Sequence, residues 1–106
     1  DRARAYLEVN CSMCHQPNGP AGRARMDLRF ATDFAETNLC DAEPNAGALD
    51  IEDAVIVAPG DPARSILSAR LRAVGDAHMP PVGITSIDEA GAAVVDEWIR
   101  SIEACP

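Results

Sequence analysis

The amino-acid sequence predicts an all-α domain, and three observations carry that prediction. Three segments place apolar residues at helical spacing, two of them open on recognisable helix-start signals, and Pro, Gly and Asn cluster between them. The first helix is expected over Arg2 to Cys14, where an apolar line runs through Ala3, Leu7 and Cys11 beside Tyr6, Val9 and Met13. Pro17, Asn18, Gly19, Pro20 and Gly22 then break regular structure and turn the chain. Arg23, Arg25 and Arg29 follow, interleaved with Met26, Leu28 and Phe30.

From Arg29 to Arg64 there is no base but there are eight acids: Asp33, Glu36, Asp41, Glu43, Asp50, Glu52, Asp53 and Asp61. Asn38, Pro44, Asn45 and Gly47 mark much of this stretch as loop. Ala54 to Ala58 is a short apolar run, and Pro59-Gly60 ends it. Asp61-Pro62 reads as a second helix start, an Asp cap followed by Pro at the first helical position. Ile66, Leu67, Leu71 and Val74 keep helical spacing up to Gly75, a suitable stop. After His78-Met79-Pro80-Pro81, Ser86 and Glu89 form a capping box for a last helix reaching to Glu103. Its inward stripe is Ile87, Val94 or Val95, Trp98, Ile99 and Ile102.

Length and composition bound the function. At 106 residues the chain has the size of one domain, residues 1–106. Tyr6, Phe30, Phe34 and Trp98 are its only aromatic residues, few for a self-sufficient core. Seventeen acids against nine bases, all of them Arg, give a net charge of −8. That balance argues against nucleic acid or an anionic membrane surface as partner and favours a basic protein. The longest apolar run is Ala54–Ala58, against the roughly 20 residues a membrane span needs. The chain starts at Asp1 without Met or a signal sequence, as expected of a mature or excised piece whose export signal has been removed.

The chemistry concentrates in Cys11-Ser12-Met13-Cys14-His15. On a helix these two thiols and the imidazole share one face and can meet one flat object together. The spacing C-x-x-C-H reads as covalent attachment of a c-type haem, each thiol forming a thioether and His15 becoming the proximal iron ligand. A carbonyl of Gly19 or Pro20 is expected to accept from the second ring nitrogen of His15. Arg25 and Arg29 are candidates to hold the haem propionates as two-pronged donors, the other reading being a solvated face.

The second axial ligand is assigned to Met79. Met13 is tethered on the proximal side, and Met26 follows His15 too closely, so packing is its expected role. The prolines after Met79 disfavour helix there and stiffen the loop. His78 is the rival, but neighbours in an extended segment point opposite ways and only one can ligate. A thioether opposite His15 raises the reduction potential relative to a second imidazole.

With these residues in place the chain resembles the class I monohaem cytochromes c over essentially its whole length. Ala58-Pro59-Gly60-Asp61-Pro62, Ser65-Ile66-Leu67, Arg70, Met79-Pro80-Pro81, Asp88 and Trp98-Ile99 look like a bacterial subgroup. In that subgroup the cytochrome is often a domain joined to a quinoprotein or sugar dehydrogenase, or to other secreted modules. The resemblance implies a class I cytochrome c fold whose first and last helices cross beside the haem, with Tyr6 and Trp98 contributing to the crossing. It implies an electron carrier rather than an enzyme, outside the cytoplasm, serving a redox partner with a basic docking face or a fused dehydrogenase. Eight uncompensated acids could steer such a partner, or simply form a soluble surface.

Cys40 and Cys105 remain as an even pair. An exported haem protein favours a disulfide between them over two buried free thiols. Other function classes stay in view: a haem-based gas sensor with a dissociable Met79, and a zinc module using Cys11, Cys14, Cys40 and either Cys105 or His78. The zinc reading lacks a second closely spaced ligand pair. A thioredoxin-like dithiol lacks the surrounding βαβ pattern.

Overall fold

A computed structural model describes residues 2–12, 14–17, 19, 26–44, 47, 49–73 and 88–106. Three α-helices stand out in it: α1 (Arg2–Cys11), α2 (Ile66–Arg72) and α3 (Glu89–Ser101). Short 3-10 turns occupy Phe34–Glu36 and Pro62–Arg64. Among the described residues no β-sheet forms; two isolated bridges pair Cys40 with Val57 and Val55 with Ser65. The architecture is thus mostly helical, in keeping with an all-α class. No helix among the described residues is long and apolar enough to cross a membrane.

Helix α1 buries Ala3 and Leu7, with Arg4 beside them. It ends at Cys11, short of the expected Cys14, but its hydrogen bonding continues for a turn: His15 N–H donates to the Cys11 carbonyl at 2.9 Å. Helix α3 crosses α1 where Gly91 faces Tyr6, and the Tyr6 hydroxyl donates to Asp88 Oδ2 at 3.1 Å. Trp98 packs edge-on against Phe34, ring centroids 5.2 Å apart. The core between the helices is filled by Leu7, Leu28, Leu39, Val57, Val95 and Ile99, each essentially solvent-free.

Two expected elements differ from what forms. The Asp61-Pro62 start does cap a helix, Asp61 Oδ1 accepting from Ala63 N–H at 3.1 Å, but that helix is only the 3-10 turn Pro62–Arg64. Ser65 then adopts an extended conformation, because its hydroxyl accepts from Ala58 N–H and donates to the Asp61 carbonyl. α2 therefore begins separately at Ile66. Its expected stop, Gly75, lies outside the described residues, as do Ser86 and Ile87. The cap of α3 is Asp88, whose Oδ1 accepts from Gly91 N–H at 2.9 Å. Glu89 pairs with Arg72 at 3.3 Å. Along α3 the deepest positions are Ala92, Val95 and Ile99, while Val94, Trp98 and Ile102 are half-buried.

The middle of the chain is threaded between these helices. Val55–Ala58 runs beside Leu39–Ala42 on one side and Arg64–Leu67 on the other, with Ile56 and Val57 each hydrogen-bonded back to the first of these segments. Gly60, at φ +74°, turns the chain so that its N–H reaches the Ile99 carbonyl at 2.9 Å. Cys40 and Cys105 form a disulfide, tying the end of the chain to this middle section.

Candidate functional site

Cys11, Cys14 and His15 meet at the C-terminal end of α1. The turn that carries them is closed by Cys14 N–H and His15 N–H, both donating to the Cys11 carbonyl. Gly19 then passes so close that a Cβ there would lie 2.5 Å from the Cys14 carbonyl oxygen and 3.1 Å from that of Gln16. Only glycine lets the chain return at this point without displacing the motif.

Both thiols are free and half-buried. Burial, reinforced by the neighbouring Cys14, pushes the Cys11 thiol up to about 11. A thiol so rarely ionised is a poor nucleophile for disulfide exchange, which weighs against a thioredoxin-like dithiol. Burial likewise holds the His15 imidazole below its ordinary pKa, in the neutral form that a metal ligand requires. Its Nδ1 is buried with no hydrogen-bond partner among the described residues. The expected acceptor is thus not the Gly19 carbonyl, and Pro20 lies outside the described residues.

The segment around Leu28 is latched onto the motif. Leu28 N–H donates to the His15 carbonyl at 2.8 Å. Arg4 donates to the carbonyls of Arg29 and Thr32, and Glu8 Oε1 accepts from Phe30 N–H at 3.0 Å. Sequence reasoning missed both α1 residues, although their one-turn spacing on the face of Cys11 was a usable signal. Arg29 itself grips Asp27, through Nε at 2.9 Å and Nη2 at 2.7 Å. That grip, with the Arg29 and Thr32 hydrogen bonds, holds the Asp27 carboxyl well below the usual carboxylate range.

Arg25, His78 and Met79 lie outside the described residues. Met26 is half-buried and packs against the core, in its expected role. Seven of the eight acids between Arg29 and Arg64 are exposed, Asp61 alone being half-buried. The disulfide removes Cys40 and Cys105 as zinc ligands. Among the described residues no group of three or more His, Cys, Asp or Glu side chains is placed to chelate a bare metal ion. Comparison with family models, curated proteins and solved structures gives no match.

Proposed function

We propose that the chain is a monohaem electron carrier of the class I cytochrome c type. One observation carries the reading: the two cysteines that remain free are those of C-x-x-C-H, brought together with His15 at one helix end, while the other two are bonded to each other. The residues present fit a haem. Two thiols are available for thioether bonds, and His15 is a neutral, partly buried imidazole with an orphaned Nδ1. Bound there, haem c would supply reversible one-electron chemistry.

On this reading Cys11 and Cys14 hold the cofactor, His15 is one axial ligand and Met79 the other. Met79, as a weak donor, keeps the potential high, and with both axial positions filled no substrate chemistry is expected. Arg25 and Arg29 are the propionate donors; Arg29 would have to share its guanidinium with Asp27 to serve. The exposed acids of the middle section suit a basic partner face, or a fused dehydrogenase could deliver electrons directly. The disulfide fits a periplasmic or other extracytoplasmic location.

The test is an absorption spectrum of matured protein, oxidised and reduced. Sharp reduced bands, with the weak far-red band of a ferric thioether-ligated iron, support the carrier, and Met79→Ala should abolish that band and lower the potential. A colourless matured protein ends the reading. Rapid carbon monoxide binding by the reduced protein would instead indicate a ligand sensor.

A further inference from the structure

We infer that Arg4 and Glu8 are positioning residues for His15, acting through the turn at residues 28–32 that they hold against α1. The inference rests on the reading of His15 as an iron ligand.

His15 stands one turn beyond the last residue of α1. Its N–H is still held in helical fashion by Cys11, but its carbonyl points past the helix and takes Leu28 N–H at 2.8 Å. The two ends of the His15 backbone unit are therefore fixed by different parts of the molecule. One end is fixed by α1, and the other by the segment containing Leu28.

That second segment has no sheet to steady it. Leu28 anchors it on one side by burying its side chain in the core, 1% exposed. On the other side α1 does the work. Arg4 Nη2 lies 2.9 Å from the Arg29 carbonyl and 2.6 Å from that of Thr32. Glu8 Oε1 receives Phe30 N–H at 3.0 Å. Within the turn, the Asp27 carboxylate accepts from Arg29 and from the Thr32 hydroxyl, closing it on itself.

The placement on α1 makes this a device for the motif rather than general packing. At 100° per residue, positions 4, 8 and 11 of α1 fall within an arc of about 60°. Arg4, Glu8 and Cys11 thus share one face, so the residues that grip the turn sit in line with the first cysteine of the motif, whose carbonyl holds the His15 N–H. Burying an arginine to 8% exposure is expensive unless its donors are satisfied; here two main-chain carbonyls of the turn satisfy Nη2, while Nε is buried without an acceptor among the described residues. A ligating imidazole is oriented by what surrounds it, and orientation tunes the metal. Here the orienting group acts on the His15 main chain.

The experiment compares Arg4→Met, which keeps the apolar stem and removes the donors, with Arg4→Lys and with Glu8→Ala at an exposed position. Amide hydrogen exchange is read at Leu28 relative to Val95 and Ile99, and the His15 ring resonances are read in haem-loaded protein. The expected result is Leu28 exchange at least about tenfold faster relative to the two α3 amides. His15 ring signals should shift, and Arg4→Lys should recover part of both effects. Unchanged relative protection of Leu28, or His15 resonances identical to the parent, overturns the inference. If Arg4→Met does not fold, Glu8→Ala decides, since it empties no buried volume. A parent protein that takes up no haem defeats the electron-carrier reading instead, and the Leu28 exchange still decides whether Arg4 and Glu8 hold the His15 backbone.

Discussion

Tyr6 on α1 and Gly91 on α3 meet so closely that a β-carbon on Gly91 would overlap the Tyr6 ring, and it would also come within 2.6 Å of Asp88 Oδ2. The Tyr6 ring thereby lies directly against the α3 main chain at Gly91. Gly91→Ala tests the crossing with two opposed effects. Alanine in a helix interior gains about 1 kcal/mol over glycine, whereas forcing the ring and the capping carboxylate aside costs roughly 1–3 kcal/mol. The overlap involves a ring held by its own hydroxyl, so we expect net destabilisation of about 1–2 kcal/mol, seen as a lower urea midpoint. Tyr6→Leu, which clears the ring, should relieve the defect.

The same contact gives the protein an alkaline limit. Burial, and then the Asp88 carboxylate, push the Tyr6 phenol up to about 12 from its ordinary 10.0. The folded state holds this proton more tightly than the unfolded chain does. The phenol's contribution is therefore intact below pH 10.0 and is lost as the pH rises through about 12. The chain has one tyrosine, so phenolate difference absorbance reports this group alone. Asp88→Ala should move the titration back towards the ordinary value. At neutral pH it should also cost about 1 kcal/mol through the lost helix cap.

Much of the fold was legible where local rules sufficed. Helical spacing found α1, α2 and α3, and the cysteine count separated the motif pair from the disulfide pair. The failures have non-local causes. Asp61-Pro62 is a sound helix start, yet Ser65 is pulled into extended backbone by its bridge to Val55 and its bonds to Ala58 and Asp61. Nothing local marks Arg4 for burial; carbonyls from a turn 25 and 28 residues away accept from it. Of the candidate site, Cys11, Cys14 and His15 are seen together, whereas Met79, His78 and Arg25 lie outside the described residues.

Helices α2 and α3 are joined by a polar lock whose worth can be measured. Ser68 donates to Asp96 Oδ1 at 2.6 Å, and Arg72 reaches Asp96 Oδ2 at 2.9 Å. The Asp96 side chain is only 11% exposed, so removing its cation leaves a carboxylate without enough solvent to replace it. Arg72→Met should cost about 2–3 kcal/mol. Combining it with Asp96→Leu should cost less than the two single changes summed, by about 1 kcal/mol or more. Urea unfolding of the four proteins at unchanged slope checks this.

The disulfide between Cys40 and Cys105 closes a loop of 65 residues. Loop-closure entropy alone assigns it about 4 kcal/mol. It acts beside a second tie, the Gly60 N–H to the Ile99 carbonyl, so the end of α3 is held from two points of the middle section. Replacing both cysteines by serine should lower stability by a few kcal/mol, and reductant should lower the melting temperature of the parent but not of the double variant.

Gly19 makes a prediction that separates fold from cofactor. The atoms a β-carbon would strike are carbonyl oxygens of Cys14 and Gln16, fixed backbone that cannot swing away like a side-chain tip. Gly19→Ala must therefore move the Cys14–Gln16 turn itself, at a cost of about 2 kcal/mol. Gly47 is the control: it has open space for a β-carbon but a φ of +106°, so Gly47→Ala strains the chain locally without touching the motif. If Cys11, Cys14 and His15 hold a haem, both variants should lose stability, but only Gly19→Ala should also lower the fraction of protein carrying covalent haem. Denaturing gels stained for haem, run beside urea melts, distinguish the two. Equal haem loading in both variants would mean that the turn tolerates displacement and that Gly19 serves packing alone.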